Sequence, residues 1–372
     1  MPDSEKIDLL VSCGGTGGHF YPGLAVAREA LRRGHAVRLY LGGKHADGQS
    51  RLAAGYGLGA DATFAPPLPR GAIQALLFPF RFTAATWRCW RYLGRRRPRA
   101  LLAMGSFAGV PLCLAARFRG IPVHLHEGNT IVGRANRLVS RWATHLHLGF
   151  PILNASAVRC PSSVTGMPLR PELCAARDGA RPAEWRARLG LDPEIPLLLA
   201  FGGSLGAAKV NTAVAEAAAS MQSRGLRFQL IHLTGQDDNA ALIEAYTAAG
   251  VKALVKKSHE AMAEYLQAAD LVTCRAGGSS LAELSYFGRA AVFVPLAIAA
   301  DGHQLANARH GCSSGGGFIV TEDELSGEAL LRHLQPLLAD PASAAAAAEA
   351  MRLLGVERSA EKVCDALMAA PG

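Results

Sequence analysis

Short apolar runs alternate with longer stretches rich in Ala, Leu and Arg along almost the whole chain. In the first half the runs at 8–12, 36–41, 100–104, 123–126 and 145–148 read as strands. In the second half those at 197–201, 228–233, 271–274 and 291–294 do. The stretches between them, among them 23–31 and 207–220, read as helices. This alternation is the pattern of a parallel sheet with helices on both faces. Residues 160–182 hold four prolines and few apolar pairs, so a domain boundary is expected there. The Ala-rich tail, 342–370, reads as helix.

Two of the strands end in glycine loops. The first loop is Gly14-Gly15-Thr16-Gly17-Gly18-His19 and the second is Gly202-Gly203-Ser204-Leu205-Gly206. A buried strand, a glycine turn and a helix start together make an anion site. The glycines allow close approach of the backbone, and the first amides of the helix point at the ligand. One such loop in each half predicts a two-domain enzyme handling a phosphorylated substrate.

Length and composition sharpen this picture. The chain has 372 residues, enough for two domains with separate cores, and 50% of them are hydrophobic. The eight cysteines are scattered, without paired or Cys/His spacing, which argues against a zinc site or a disulfide framework and fits a reducing cytoplasm. The acidic start is unlike a secretory signal, and no apolar run reaches the roughly 18 residues that span a bilayer. A net charge of +9 calls for an anionic partner. Much of it is concentrated between Arg70 and Arg99, where eight arginines meet no acidic residue. Phe78, Phe80, Arg81, Trp87, Arg88, Trp90 and Arg91 lie in this stretch. Arginines beside aromatic rings suit the headgroup region of an anionic membrane. The alternatives are an amphipathic helix at 83–93 with its rings in the core, and single-stranded nucleic acid, for which no binding signature is present. Pro79 is expected to break any helix carrying Phe78 and Phe80.

Other enzyme classes fit less well. A nicotinamide or flavin enzyme would show Gly-x-Gly-x-x-Gly and a carboxylate about 20 residues on; the spacing here differs, and the second strand ends Leu41-Gly42-Gly43. Neither loop continues as the Gly-Lys-Ser/Thr of a P-loop kinase.

Further motifs stand where strands should end. They are Met104-Gly105-Ser106-Phe107-Ala108-Gly109, His126-Glu127-Gly128-Asn129, Gly166-Met167-Pro168-Leu169-Arg170, Arg275 to Glu283 through Gly277-Gly278-Ser279-Ser280, and Asp301-Gly302-His303-Gln304 to Ala308. In this order, from Gly14 to about Ala308, the set resembles the MurG family. Members of that family transfer N-acetylglucosamine from UDP onto undecaprenyl-diphospho-N-acetylmuramoyl-pentapeptide, turning lipid I into lipid II for peptidoglycan. The resemblance implies an α/β protein of two Rossmann-like, doubly wound domains facing a cleft, the GT-B arrangement. It further implies an N-terminal acceptor- and membrane-binding domain at 1–164 and a UDP-sugar-binding domain at 165–343. The helix at 344–372 is expected to pack back on the N-terminal domain, and the location is peripheral, on the cytoplasmic face of the inner membrane. No cofactor or metal is expected, and no nucleic acid. The sequence departs from the family pattern at Phe107, Gly128, Met167, Leu205, His259 and Ala297-Ile298, where Tyr, Gln, Asn, Gln, an aliphatic residue and Pro-His are usual.

The resemblance also suggests roles. Glu283 would accept both ribose hydroxyls of UDP-N-acetylglucosamine. Ser204 and the amides of the second loop would hold the diphosphate, with Arg170 adding a guanidinium. Gly278, Ser279, Ser280, Leu281 and Ala282 are expected to touch the donor, as are Thr16, Gly17 and Gly18, whose loop would also face the acceptor's diphosphate. Asn129 and Gln304 would bond sugar hydroxyls, although Gln304 would equally suit a helix cap. His19 is the expected general base, since a neutral imidazole takes a proton near neutral pH; Glu127 is the other candidate. His126, inside an apolar strand, reads as a core histidine. A related transferase with another UDP-sugar or a glycerolipid acceptor stays open, as does a non-catalytic membrane-bound scaffold.

Overall fold

The computed structural model describes residues 6–43, 45–62, 65–67, 69, 71–177, 181–202, 208–259 and 262–369. The chain divides into two units, Met1–Arg170 with Glu357–Gly372, and Pro171–Val356.

The first unit holds seven strands: β1 (Leu9–Ser12), β2 (Val37–Leu41), β3 (Gly59–Ala62), β4 (Ala100–Ala103), β5 (Val123–Glu127), β6 (His145–Leu148) and β7 (Ser162–Val164). They pair in parallel in the order β3-β2-β1-β4-β5-β6-β7. Its helices are α1 (Gly17–Arg32), α2 (Ala46–Ala54), α3 (Ala72–Arg96), α4 (Val110–Phe118) and α5 (Arg134–Val139). The edge strands β3 and β7 were not expected. Their sequences, Gly-Ala-Asp-Ala and Ser-Ser-Val, contain no apolar run and are largely exposed, so pairing with a neighbour rather than burial makes them strands.

The second unit repeats the plan. Its strands are β8 (Leu197–Phe201), β9 (Gln229–Leu233), β10 (Ala253–Lys256), β11 (Leu271–Cys274), β12 (Ala290–Phe293) and β13 (Gly317–Ile319), all parallel and ordered β10-β9-β8-β11-β12-β13. Around them run α6 (Pro171–Ala176), α7 (Pro182–Arg188), α8 (Ala208–Ser223), α9 (Ala240–Ala248), α10 (Met262–Ala268), α11 (Gly278–Phe287), α12 (His303–Cys312), α13 (Gly327–Ala339) and α14 (Pro341–Arg352). A last helix, α15 (Ser359–Met368), belongs to the first unit and packs on α1, with Val363, Cys364 and Leu367 buried beside β1 and β4. The Ala-rich tail is thus two helices in two units, because the chain turns at Leu354–Gly355 after α14.

In each sheet the order reverses beside the first strand, between β1 and β4 and between β8 and β11. The crevice at such a switch point, outside the carboxyl ends of the strands, is where open α/β sheets bind ligands. The first glycine loop and the Met104 and Arg275 motifs stand at these points, and β8 ends there at Phe201.

One expectation fails. Helix α3 runs through Pro79 for 25 residues. The proline removes one amide, but the Ala75 carbonyl it deprives lies on an exposed turn, where water can reach it, and the Thr83 hydroxyl donates to the Pro79 carbonyl at 2.9 Å. Among the described residues no helix is long and apolar enough to cross a membrane.

Candidate functional site

The first loop is set by contact between glycines. A Cβ on Gly14 would stand 2.6 Å from the Gly42 amide nitrogen, and Gly15 holds φ +90°. Gly23 lets α1 lie on β1, since a Cβ there would come within 2.6 Å of the Cys13 Cβ. Thr16 caps α1 without a side-chain bond to the helix, so the exposed Gly17 and Gly18 amides face outward. The Thr16 hydroxyl instead lies 3.3 Å from His19 Nδ1. Arg170 places its guanidinium over the Tyr21 ring, 4.7 Å from its centre, two residues beyond His19. Its positive charge therefore stands by the first helix of the first unit.

Glu127 ends β5 and is 5% exposed. Its Oε1 accepts from the Asn129 amide (3.1 Å) and Asn129 Nδ2 (2.9 Å). Oε2 accepts from the Gly133 amide (2.9 Å) and Asn136 Nδ2 (3.0 Å). Asn136, which sequence reasoning passed over, also bonds the His126 carbonyl at 3.0 Å. His126 is buried as expected, with Nε2 at 3.2 Å from the Gly166 carbonyl; burial holds its pKa below the usual value. Next to Asn129, a Cβ on Gly128 would collide with the terminal methyl of Met167. Two departures from the family pattern thus share one space: the thioether fills what the missing side chain leaves.

In the second unit, Ser204 and the rest of the loop at 203–207 lie outside the described residues. The neighbouring strand end is described. Gly277 precedes α11 in an extended conformation and offers no side-chain cap. The amides of Gly278, Ser279 and Ser280 consequently have no protein acceptor among the described residues, and the enclosed Ser279 hydroxyl also lacks a partner. Leu281 and Ala282 turn their side chains into the core, and the Leu281 amide is given to the Gly277 carbonyl at 2.9 Å, so neither side chain points at a ligand. Glu283 is half-buried one turn further along. Gln304 spends its carbonyl oxygen on the Leu296 amide (3.0 Å), leaving its NH₂ as the donor. His259 stacks on Tyr265 with centroids 4.0 Å apart.

A frame of buried polar residues stands behind this strand end that sequence reasoning passed over. Arg275, 8% exposed, donates to the Val294 carbonyl (3.1 Å) and to Glu322 (2.5 Å), whose other oxygen accepts from the Ala297 amide (2.9 Å). Fully buried Asn307 ties α12 to the Ala276 carbonyl at 3.0 Å. The one available signal was position: both residues fall inside motifs already singled out.

The arginine-rich stretch separates into two faces. Ile73, Leu76, Leu77, Phe80 and Trp87 are exposed along one side of α3, with Phe80 at 73%. Their spacing of three, four and seven residues makes one stripe, flanked by Arg81, Arg88 and Arg91. Arg91 lies over Trp87, and Arg119 over Trp90, which is 38% exposed. Phe78 departs from the expected membrane set: it turns inward against Phe82 and Phe107, with ring centres 5.8 and 6.2 Å away.

Two family descriptions match the chain, the Glycosyltransferase family 28 N-terminal domain at residues 9–148 and the Glycosyltransferase family 28 C-terminal domain at residues 197–363. A UDP-N-acetylglucosamine--N-acetylmuramyl-(pentapeptide) pyrophosphoryl-undecaprenol N-acetylglucosamine transferase from Verminephrobacter eiseniae is 39% identical over 88% of this chain and 89% of its own. The protein of the same name from Clavibacter sepedonicus is 36% identical over 96% of this chain and 94% of its own. The crystal structure of Acinetobacter baumannii MurG superposes with a TM-score of 0.76 at 26% identity, covering 97% of this chain and 99% of that one. The two α/β units form the GT-B fold, and the chain belongs to the MurG family of glycosyltransferase family 28.

Proposed function

We propose that this chain moves N-acetylglucosamine from UDP-N-acetylglucosamine to the C4 hydroxyl of undecaprenyl-diphospho-N-acetylmuramoyl-pentapeptide, with inversion, making lipid II from lipid I. The observation that carries the donor half is the uncapped first turn of α11 with Glu283 one turn in. Its outward amides at Gly278, Ser279 and Ser280 meet phosphate charge, and Glu283 accepts the ribose hydroxyls. Ser204 adds to the same anion binding, and the Gln304 NH₂ donates to the sugar; Arg170 adds positive charge beside the first loop, over Tyr21.

In the first unit His19 is the base. With its Nδ1–H given to the Thr16 hydroxyl, Nε2 takes the proton of the attacking hydroxyl while the anomeric carbon loses UDP. The Gly17 and Gly18 amides face diphosphate. Glu127 already accepts four hydrogen bonds, so it is a positioning residue that fixes Asn129, and the base role falls to His19.

The exposed stripe of α3, flanked by arginines, supports a membrane face and a peripheral location on the cytoplasmic side of the inner membrane. Each arginine near an anionic bilayer contributes about 1 kcal/mol. Changing Arg81, Arg88 and Arg91 to Ser should sharply weaken sedimentation with anionic vesicles while UDP affinity holds; wild-type sedimentation would remove this face from the account. For the reaction itself, purified protein is given a panel of UDP-sugars and a short-chain lipid I analogue. A β-linked N-acetylglucosamine product is expected. Preference for another sugar, or no transfer to the analogue, would overturn the assignment.

A further inference from the structure

The amino ends of the strands in the second unit, opposite the nucleotide-binding loops, enclose a cavity of about 240 Å³. Pro196, Leu271, Leu337 and Leu338 make its apolar wall, and Ala345 stands exposed on the rim. A hollow of this size admits an apolar chain of several carbon atoms. Two charged side chains also line it, Arg289 and Asp270, and they are not equivalent. Asp270 is already paired with a cation: its Oδ2 accepts from Arg186 (2.6 Å) and from the Leu197 amide (2.7 Å). Arg289 gives Nε to the Leu266 carbonyl (2.7 Å) and Nη2 to the Gln267 carbonyl (3.2 Å), near the carboxyl end of α10. Among the described residues Nη1 has no partner and no carboxylate lies within ion-pair distance of the guanidinium.

Arg289 is half-buried, and a guanidinium partly withdrawn from water favours an anion as partner. Burial here is deep enough to pull its pKa down to about 10, with Asp270 offsetting part of the cost from a distance. Two main-chain carbonyls use two of its three nitrogens, and the third borders an apolar cavity. We infer that this cavity is a binding site for a small amphipathic anion, its carboxylate or phosphate head on Arg289 Nη1 and its aliphatic or aromatic body against Leu271, Leu337 and Leu338. The site is built from one unit alone and does not depend on the transferase reading.

The test uses the full chain with methyl-labelled leucines and three probes at millimolar concentration, octanoate, octyl phosphate and octylamine. The two anions should shift the Leu271, Leu337 and Leu338 methyl resonances, and the tighter of them identifies the head group. Octylamine should not. Ala345→Trp, a change at the exposed rim, should abolish the shifts by filling the cavity. Arg289→Met should weaken anion binding by about tenfold or more, the loss expected of one charged hydrogen bond. Because Arg289 also holds α10, the Ala345→Trp result stands on its own if the arginine variant fails to fold. Absent shifts in the wild-type protein, or equal shifts with octylamine, overturn the inference.

Discussion

The two units share one strand order but put polar groups into their sheets in different ways. In the first, β5 and β6 carry four histidines, His124, His126, His145 and His147, on one face, and a carboxylate at the strand end closed by four donors. In the second, β9 carries one buried histidine, His232, whose two nitrogens meet Tyr246 (2.8 Å) and Asn211 (3.1 Å). Its strand-end helix α11 is left with open amides. A closed polar network positions side chains, whereas open amides wait for charge. Under the proposed function the same topology serves two tasks: the first unit holds the base and its surroundings, and the second offers the anion site.

Removing the groups on each side should produce different failures. His19→Ala should lower kcat by about 10²–10⁴ with UDP affinity nearly unchanged, as expected when a general base is lost. A fall under about tenfold would demote His19 to support of its loop. Glu283→Ala should act on the other side, weakening UDP binding by about ten- to a hundredfold, since a hydrogen bond to a charged group contributes roughly 1.5–3 kcal/mol. Calorimetry showing unaltered UDP affinity in that variant would strike Glu283 from the donor site.

Much of this was legible in the sequence. The central strands announced themselves as apolar runs, and the glycine loops marked the switch points, because close backbone approach leaves no choice of residue at Gly14 or Gly23. The four edge strands were not legible: sheet pairing stabilises β3 and β7 without an apolar pattern, and β10 and β13 are short and only partly buried. The reach of α3 was misread because a proline is costly only where its orphaned carbonyl is hidden, and here it is exposed. Phe78 and Phe80 look alike in sequence. Only the helical phase from Ala72 onward sends one inward and the other out. The Arg275–Glu322 pair spans 47 positions, and nothing local foretells it.

The Gly128–Met167 contact allows the closed network to be tested at its edge. Gly128→Gln, the side chain usual in the family, should clash with Met167 and destabilise the first unit by about 1–3 kcal/mol, the usual range for overpacking. Met167→Ala in the same chain should restore part of that loss by making room. Denaturant unfolding of the single and double variants gives the coupling. Strict additivity would mean that the two departures are independent and that the space between them is not shared.

Acid separates the two sheets. His124 Nδ1 lies 3.1 Å from His147 Nε2, and their outer nitrogens, Nε2 of His124 and Nδ1 of His147, are buried without partners. His145 lies tilted against His147 and bonds the Ser163 hydroxyl at 2.8 Å, so a second charge in this group would face the first at close range, and among the described residues no carboxylate pairs with these three rings. Burial lowers the pKa of His124 to about 4 and of His147 to about 2; in the second unit His232 is lowered to about 4. A histidine whose pKa is lower in the folded chain than in the unfolded one contributes nothing to the pH dependence at neutrality. Below about pH 6.5 the unfolded chain binds protons that the folded chain refuses, so stability falls as pH falls, by up to about 1.4 kcal/mol per pH unit for each group. With two such strongly shifted groups against one, the first unit should lose amide protection faster than the second between about pH 6.5 and pH 4, as read by hydrogen exchange on each unit. Equal loss in both units would show that the stacked histidines do not set the acid limit, and the contrast between the two sheets would then have no consequence for stability.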